Sequence, residues 1–190
     1  SYWFTYGNVL FLVCNNETLV KGSAEQTAAK NWAAGVIKQL QGKYRYVFLC
    51  EHYQWFDGRS GKTSWYANWK DFCDEYRVAL ALAGNNHIYE RSHALHHDQV
   101  VADGKGTVYM AVPSSDGERG VKAGALTHNA EKLAYTYSSQ TGSGNGEVKT
   151  IGCVLVKVDA ENITTRLVYI EPGKAAQVAD EHTARLLPAR

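Results

Sequence analysis

Three apolar runs alternate with two amphipathic segments in the first half of the chain, and this order restricts the fold more than any other feature. The runs are YGNVLFLVCN at 6–15, YRYVFLC at 44–50 and VALALAG at 78–84. Each has the length and composition of a buried strand. Strands that alternate with helices usually pair in parallel within one sheet. The order therefore predicts an α/β domain.

The two segments between these runs predict helices. In the first, at 22–42, Ser23 and Gln26 form a capping box and Gly42 ends the helix. The second predicted helix covers residues 64–76. In both helices the apolar residues recur at helical spacing. The residues that line one face of each helix are Trp32, Val36 and Leu40 in the first, and Trp65, Trp69, Phe72 and Tyr76 in the second.

The second half of the chain reads as antiparallel structure. GTVYMAV at 106–112 predicts a fourth strand, and the runs at 150–158 and 163–170 predict a hairpin because only DAEN separates them. The segment after Pro172 is ambiguous, with a short helix as one interpretation. We therefore expect a single domain over residues 1–190, with a mixed sheet and a long antiparallel section at its end.

Composition excludes some functions. The net charge is +1 with 21% charged residues, so no basic face suggests a nucleic-acid partner. The apolar runs are far shorter than the ~20 residues that span a bilayer, so no membrane partner is expected. The four cysteines contain no C-x-x-C pair, and three lie in apolar runs, which predicts buried free thiols.

Polar side chains follow two of the predicted strands directly. His52 comes after the second strand, and Asn85 and His87 come after the third, where Gly84 is expected to let the chain turn. The carboxyl ends of neighbouring parallel strands meet at one edge of a sheet, which is where ligands bind in α/β proteins. Imidazole nitrogens and amide oxygens both ligate metals. The spacing favours a metal site at this edge.

Two other groups of possible ligands are weaker. His93, His96 and His97 are expected in a polar loop as solvated histidines, and a zinc site built from them and His87 lacks the usual cysteine or carboxylate spacing. Asp180 and His182 form the one D-x-H pattern of the chain. We expect it to lie on no strand and to be a coincidence.

The stretch VALALAGNNHIYERS at 78–92 resembles the last motif of the calcineurin-like metallophosphoesterases, most closely G-H-x-H-x-Y-E-R-S of the purple acid phosphatase branch. FTYGNVLFLVCNNET, YVFLCEHYQWF and GTVYMAVPSSDGERG resemble further segments of that branch in the same order, so the resemblance covers residues 2–170. The family's earlier motifs, D-x-H, G-D-x-x-D and G-N-H-E/D, normally precede the first of these segments. The resemblance thus implies the C-terminal half of a metallophosphoesterase-type α/β/β/α sandwich.

This resemblance implies phosphate ester hydrolysis, of the phosphomonoesterase kind, at two divalent or trivalent metal ions (iron, zinc or manganese). The implied metal ligands are His52, Asn85 and His87. Asn85 stands where the family has the first histidine of G-H-x-H, so its oxygen replaces that ligand or one metal position is weakened. The implied substrate-binding residues are Asn86, Lys62 and Tyr89, with Ser64 as an alternative to Lys62.

Three interpretations remain open: part of an active metallophosphoesterase, a non-catalytic relative that binds a partner or a sugar phosphate, and an independent α/β binding module. The aromatic pair Trp55 and Phe56 would be a substrate wall in the first and a protein contact in the second. The expected partner is a phosphate ester, with self-association through exposed sheet edges. The resemblance favours a secreted or cell-envelope location.

Overall fold

The computed structural model describes residues 1–15, 23–56, 63–85, 88–113, 129–137, 151–185 and 187–189. Within these ranges the chain forms two helices and eleven strands. The helices are α1 (Ala24–Gln39) and α2 (Ser64–Tyr76). The strands are β1 (Tyr2–Tyr6), β2 (Val9–Val13), β3 (Tyr46–Cys50), β4 (Val78–Ala83), β5 (Tyr89–His96), β6 (Gln99–Val101), β7 (Thr107–Ala111), β8 (Leu133–Tyr137), β9 (Ile151–Val158), β10 (Asn162–Ile170) and β11 (Gln177–Arg185).

The larger sheet is mixed, as predicted. Its strand order is β1-β2-β3-β4-β7-β5-β6, and β8 pairs with the first half of β5. Strands β2, β3, β4 and β7 are parallel, whereas β1 and β5 run antiparallel to β2 and β7. The first apolar run is preceded by a separate strand, because the chain reverses at Gly7, whose φ is +56°.

The smaller sheet is antiparallel, with strand order β11-β10-β9. The predicted hairpin at 159–162 is confirmed: one carboxylate oxygen of Asp159 accepts the backbone N–H groups of Glu161 and Asn162 at 2.9 and 2.7 Å. Among its described residues, the segment after Pro172 forms β11 and no helix. The expectation that Asp180 and His182 lie on no strand was therefore wrong.

Three layers make up the described structure. Both helices pack on one face of the larger sheet, and the smaller sheet packs on its other face. Trp55 and Phe56 belong to the core beneath the helices and are buried, with the Trp55 indole N–H donating to the Ala81 carbonyl at 2.9 Å. The expectation that these rings form an exposed wall was wrong, because the loop after β3 folds inward over Tyr109.

The helix boundaries follow from local signals. The Ser23 hydroxyl accepts the Gln26 N–H at 3.1 Å and caps α1 as predicted. Helix α2 ends where Arg77 adopts a left-handed conformation, with φ of +52°. Neither helix in the described ranges is long and apolar enough to cross a bilayer.

All four cysteines are free thiols. Cys14 and Cys73 are buried and Cys50 is partly buried, which agrees with the prediction. Cys153 is exposed, because it lies on the outer side of β9. For this residue the prediction of a buried thiol was wrong.

Strand β5 corrects the expectation of a polar loop. Glu90, Arg91 and Ser92 are buried in this strand, and His93 and His96 belong to it as well. Arg91 tolerates burial because its guanidinium binds Asp180 of the smaller sheet at 2.7 and 3.1 Å. The charged pair of Arg91 and Asp180 thus lies at the interface between the two sheets.

Strand β1 is the last strand at its end of the larger sheet as described, and it carries exposed aromatic rings. Tyr2 and Tyr6 are 60% and 79% exposed, and Trp3 and Phe4 are also exposed. Phe4 stacks on Phe11 at 4.6 Å, and Phe11 in turn packs against Phe48. Phe11 and Phe48 lie on the face of the larger sheet that packs against the smaller sheet. The rings of β1 extend this apolar face beyond the smaller sheet and remain exposed.

Candidate metal site at the strand ends

The ends of β3 and β4 lie side by side, as the sequence predicted. The two strands are parallel neighbours with Cys50 opposite Leu82. Beyond their ends, the Gly84 N–H donates to the His52 carbonyl at 2.8 Å, and the Glu51 N–H donates to the Leu82 carbonyl at 3.0 Å. These bonds hold the backbone of the two loops together at the carboxyl edge of the sheet.

Asn85 makes the turn that the sequence assigned to Gly84. Its φ is +70°, whereas Gly84 does not adopt a positive φ. Asparagine tolerates the left-handed region better than most residues. The Asn85 side-chain N–H donates to the Gln54 side-chain oxygen at 2.8 Å, which links the loop after β4 to the loop after β3.

The His52 imidazole rests beside an aromatic pair. It contacts Tyr53 edge to face at 5.1 Å, and Tyr53 stacks on Trp65 in the first turn of α2 at 5.1 Å and 4°. His52 itself is exposed to solvent. Tyr53 therefore connects the His52 ring to the start of α2.

The other predicted site residues divide into two groups. Lys62, Asn86 and His87 lie outside the described residues, so their roles stay predictions. Tyr89 is 0% exposed, and its hydroxyl donates to Asp180 at 2.8 Å. Burial, followed by this hydrogen bond, raises the pKa of Tyr89 well above its ordinary value. Its position between the sheets does not support a contact with substrate.

Glu51 is a carboxylate at this edge that sequence reasoning did not single out. It follows β3 directly and is partly buried. Burial, with Glu51 as the next cause, raises the pKa of the Cys14 thiol to about 12. The only local signal for Glu51 was its place immediately before His52.

A cleft of about 260 Å3 opens at the same edge, between the two sheets. Its walls are mostly apolar and include Leu82, Val112, Pro113 and Val154. A larger cavity of about 390 Å3 lies at the opposite edge, near Arg45, Lys105 and Arg185. The smaller cleft adjoins the ends of the strands that precede His52 and Asn85, so it is the candidate ligand cavity at this edge.

A second group of metal-ligating side chains lies at that opposite edge. Asp74, near the end of α2, is close to His96 and His97, and their ligand atoms all lie within 4.8 Å of one another. Sequence reasoning set both histidines aside and did not single out Asp74. No local signal could have connected them, since more than twenty residues separate the carboxylate from the histidines along the chain.

Comparison with known proteins gives a match at the level of structure alone. No protein-family model matches the chain, and no curated protein matches its sequence. A purple acid phosphatase from yellow lupin seeds matches with a TM-score of 0.55 and 16% identity, over 97% of this chain and 32% of that one. PhoD matches with a TM-score of 0.61 and 14% identity, over 97% of this chain and 41% of that one.

The chain has the metallophosphoesterase fold. A third member of this fold, GAP50, the anchor in the inner membrane complex of Plasmodium, matches with a TM-score of 0.60 and 13% identity. The match covers 97% of this chain and 53% of GAP50. This chain therefore spans about a third to a half of the length of these three metallophosphoesterase-fold structures.

The donors at the strand ends fit part of a metal site. An imidazole from His52 and an amide from Asn85 stand on adjacent loops that hydrogen bonds hold together. Neither an imidazole nor an amide supplies negative charge, whereas a pair of divalent cations needs compensating negative charge. The two described donors suit the edge of a metal centre in this metallophosphoesterase fold, with further ligands required to complete it.

Proposed function

We propose that this metallophosphoesterase-fold chain belongs to an enzyme that hydrolyses phosphate esters with bound metal ions, and that it forms the C-terminal part of a larger catalytic domain. The observation that carries the proposal is the pairing of the β3 and β4 ends, where the Gly84 N–H binds the His52 carbonyl. That pairing puts His52 and Asn85 on adjacent loops, at the edge where α/β sheets bind ligands.

In this proposal the metal ligands from this chain are His52, Asn85 and His87. A bound pair of divalent cations would lower the pKa of a water molecule and neutralise charge on the phosphate. His52 contributes a ring whose orientation is restrained by Tyr53. Asn85 contributes its amide oxygen, since its amide nitrogen already donates to Gln54.

The substrate would lie between these ligands and the cleft of Leu82 and Val112. Lys62 and Asn86 are proposed to hold the phosphate oxygens, one by charge and the other by hydrogen bonding. The apolar walls of the cleft suit the organic group of an ester. The negative charge that the metals require is proposed to come from carboxylates in the remainder of the catalytic domain.

A comparison of the full-length protein with the 190-residue chain tests this proposal. We expect the full-length protein, supplied with zinc, manganese or iron, to hydrolyse p-nitrophenyl phosphate. The 190-residue chain is expected to show no hydrolysis above background, because a partial ligand set does not hold a metal pair. Activity of the isolated chain, or none in the full-length protein with any of these metals, would contradict the proposal.

A non-catalytic binding role is the second candidate. Two observations favour it: a metallophosphoesterase-fold neighbour is described as an anchor, and Asn85 occupies the place of a family histidine. In that case the full-length protein would bind inorganic phosphate or a sugar phosphate without turnover. The same hydrolysis assay separates the two candidates.

Self-association is the expected behaviour of the 190-residue chain in isolation. Strand β1 has a free edge among the described strands, and its aromatic face is uncovered. Such edges pair with other chains. We expect dimers or larger species in analytical ultracentrifugation, and Phe4→Lys should shift the distribution toward monomer by adding charge to this face. A strictly monomeric chain at 50 μM would refute this expectation.

The location proposed for the enzyme is outside the cytoplasm, in the secreted or cell-envelope fraction. The support is the resemblance of the 78–92 motif to the purple acid phosphatase branch. Fractionation of cells that express the full-length protein would locate it.

A further inference from the structure

A compact group of three metal-ligating side chains lies at the edge of the sheet opposite the strand-end site. We propose that Asp74, His96 and His97 bind one divalent transition cation of the zinc class. Strand β5 runs antiparallel to β7, and Leu95, the residue before His96, lies opposite Thr107, where β7 begins. The six residues of β4 separate the two edges, a distance of about 20 Å. The group is therefore independent of His52 and of the phosphatase proposal.

The ligand atoms of the three side chains lie within 4.8 Å of one another, which is near the spacing that a zinc site requires. His96 Nδ1 lies 3.1 Å from one carboxylate oxygen of Asp74, and His97 Nδ1 lies 3.5 Å from the other. Two ligands of a tetrahedral zinc ion, each bound at about 2.0–2.1 Å, stand roughly 3.3 Å apart. The two distances lie on either side of that value, and each histidine approaches a different oxygen of Asp74, so the side chains would have to move to share one cation. Two histidines and one carboxylate leave a position open for water.

The charge of Asp74 supports the same assignment. Its side chain is only 6% exposed, and within the described ranges its ion-pair partners are the two histidines. Buried carboxylates are normally paired or bound to a metal. A divalent cation would supply the compensating charge at this point.

The end of α2 provides an independent reason. Asp74 and Glu75 lie in the last turn of this helix, which contains no basic residue. The C-terminus of a helix carries partial negative charge and is stabilised by cations. Arg77 follows at the C-cap, and a metal ion on Asp74 would bring further positive charge to this helix end.

The turn that carries His97 holds the ligands in place. His97 and Asp98 connect β5 to β6 as a two-residue turn, with φ values of +47° and +66°. Turns of this kind favour asparagine and glycine, so the pair His-Asp is unusual there. The His97 N–H donates to Asp74 at 2.9 Å and the Tyr66 hydroxyl donates to Asp98 at 2.9 Å. The proposed cation would join this hairpin to the end of α2.

Thermal unfolding of the metal-stripped 190-residue chain during zinc titration tests the proposal, because this chain alone is not expected to hold the phosphatase metal pair. At about 100 times the dissociation constant, zinc should raise the melting temperature by about 5–10 °C. His96→Gln and His97→Gly should abolish this rise and lose one zinc per chain in metal analysis. Glycine suits the positive φ at position 97, so His97→Gly should keep a metal-free melting temperature within about 3 °C of the unmodified protein.

Two control variants make the result specific. His93→Gln removes an exposed histidine from the same strand, and His52→Ala removes the candidate ligand at the opposite edge. Both should retain the zinc-dependent rise in melting temperature. The proposal is overturned if His96→Gln and His97→Gly respond to zinc like the unmodified protein, or if either control loses the response instead.

Discussion

Replacing His52 by alanine in the full-length protein is expected to lower the rate of phosphate ester hydrolysis by about 100-fold or more, together with loss of bound metal. Even partners that only orient a metal ligand contribute 10–100-fold to affinity or activity, and a direct ligand should contribute at least as much. The measurement is kcat with p-nitrophenyl phosphate alongside metal content. Unchanged metal content and rate would show that His52 is not a ligand.

Asn85→His is the matched variant for this experiment. Histidine tolerates a positive φ better than most residues, and it is a stronger donor than an amide for transition metals. We expect metal affinity to be kept or increased, even though the bond to Gln54 is lost. If Asn85→His loses as much activity as His52→Ala, the role of Asn85 is to link the two loops and not to bind metal.

Replacing Asp180 by alanine is expected to lower the free energy of unfolding by about 3–5 kcal/mol. Arg91 and Asp180 are only 9% and 6% exposed, and the change would leave a buried guanidinium without its partner. The Tyr89 hydroxyl would lose its acceptor as well. Urea denaturation followed by circular dichroism measures the effect.

Glu181→Ala is the control for this change, because it removes the neighbouring carboxylate of the same strand. Glu181 pairs with Arg166 at 2.8 Å on the solvent side, where both side chains are about half exposed. Exposed pairs of this kind contribute about 0–1 kcal/mol. If Asp180→Ala and Glu181→Ala lowered the free energy of unfolding equally, burial would not strengthen the pair of Arg91 and Asp180.

The contribution of Asp180 should also depend on pH. Burial acts to raise its pKa, but hydrogen bonds from Arg91 and Tyr89 outweigh burial and lower the pKa below its ordinary value. A depressed pKa means that the stabilisation is complete above the unfolded value of about 3.9 and is lost as the pH falls through the folded value. The difference between the unmodified protein and Asp180→Ala should therefore shrink below about pH 4.

Patterns that act over short distances in the chain predicted the arrangement of the parallel strands correctly. The apolar runs ending at Cys50 and Gly84, with a helix between them, specified parallel neighbours and placed His52 and Asn85 on adjacent loops. An apolar run can be recognised as a buried strand from its own residues, because any sheet covered by a helix layer buries it, whichever residues form that layer. The 78–92 motif added the metallophosphoesterase fold, which the structural matches confirm.

Tertiary structure alone decided where the charged residues lie. Arg91 and Asp180 each look exposed in the sequence, and the pair becomes stable in the interior only because β5 and β11 meet across the two sheets. The same holds for Asp74 with His96 and His97, which come together through the packing of α2 against a hairpin turn. Hydrophobic periodicity identifies a buried strand from its own residues, whereas a buried charge depends on a partner distant in the chain. For this reason the sequence by itself determined the sheet and its carboxyl edge, and the folded chain determined the interface between the sheets and the second group of metal-ligating residues.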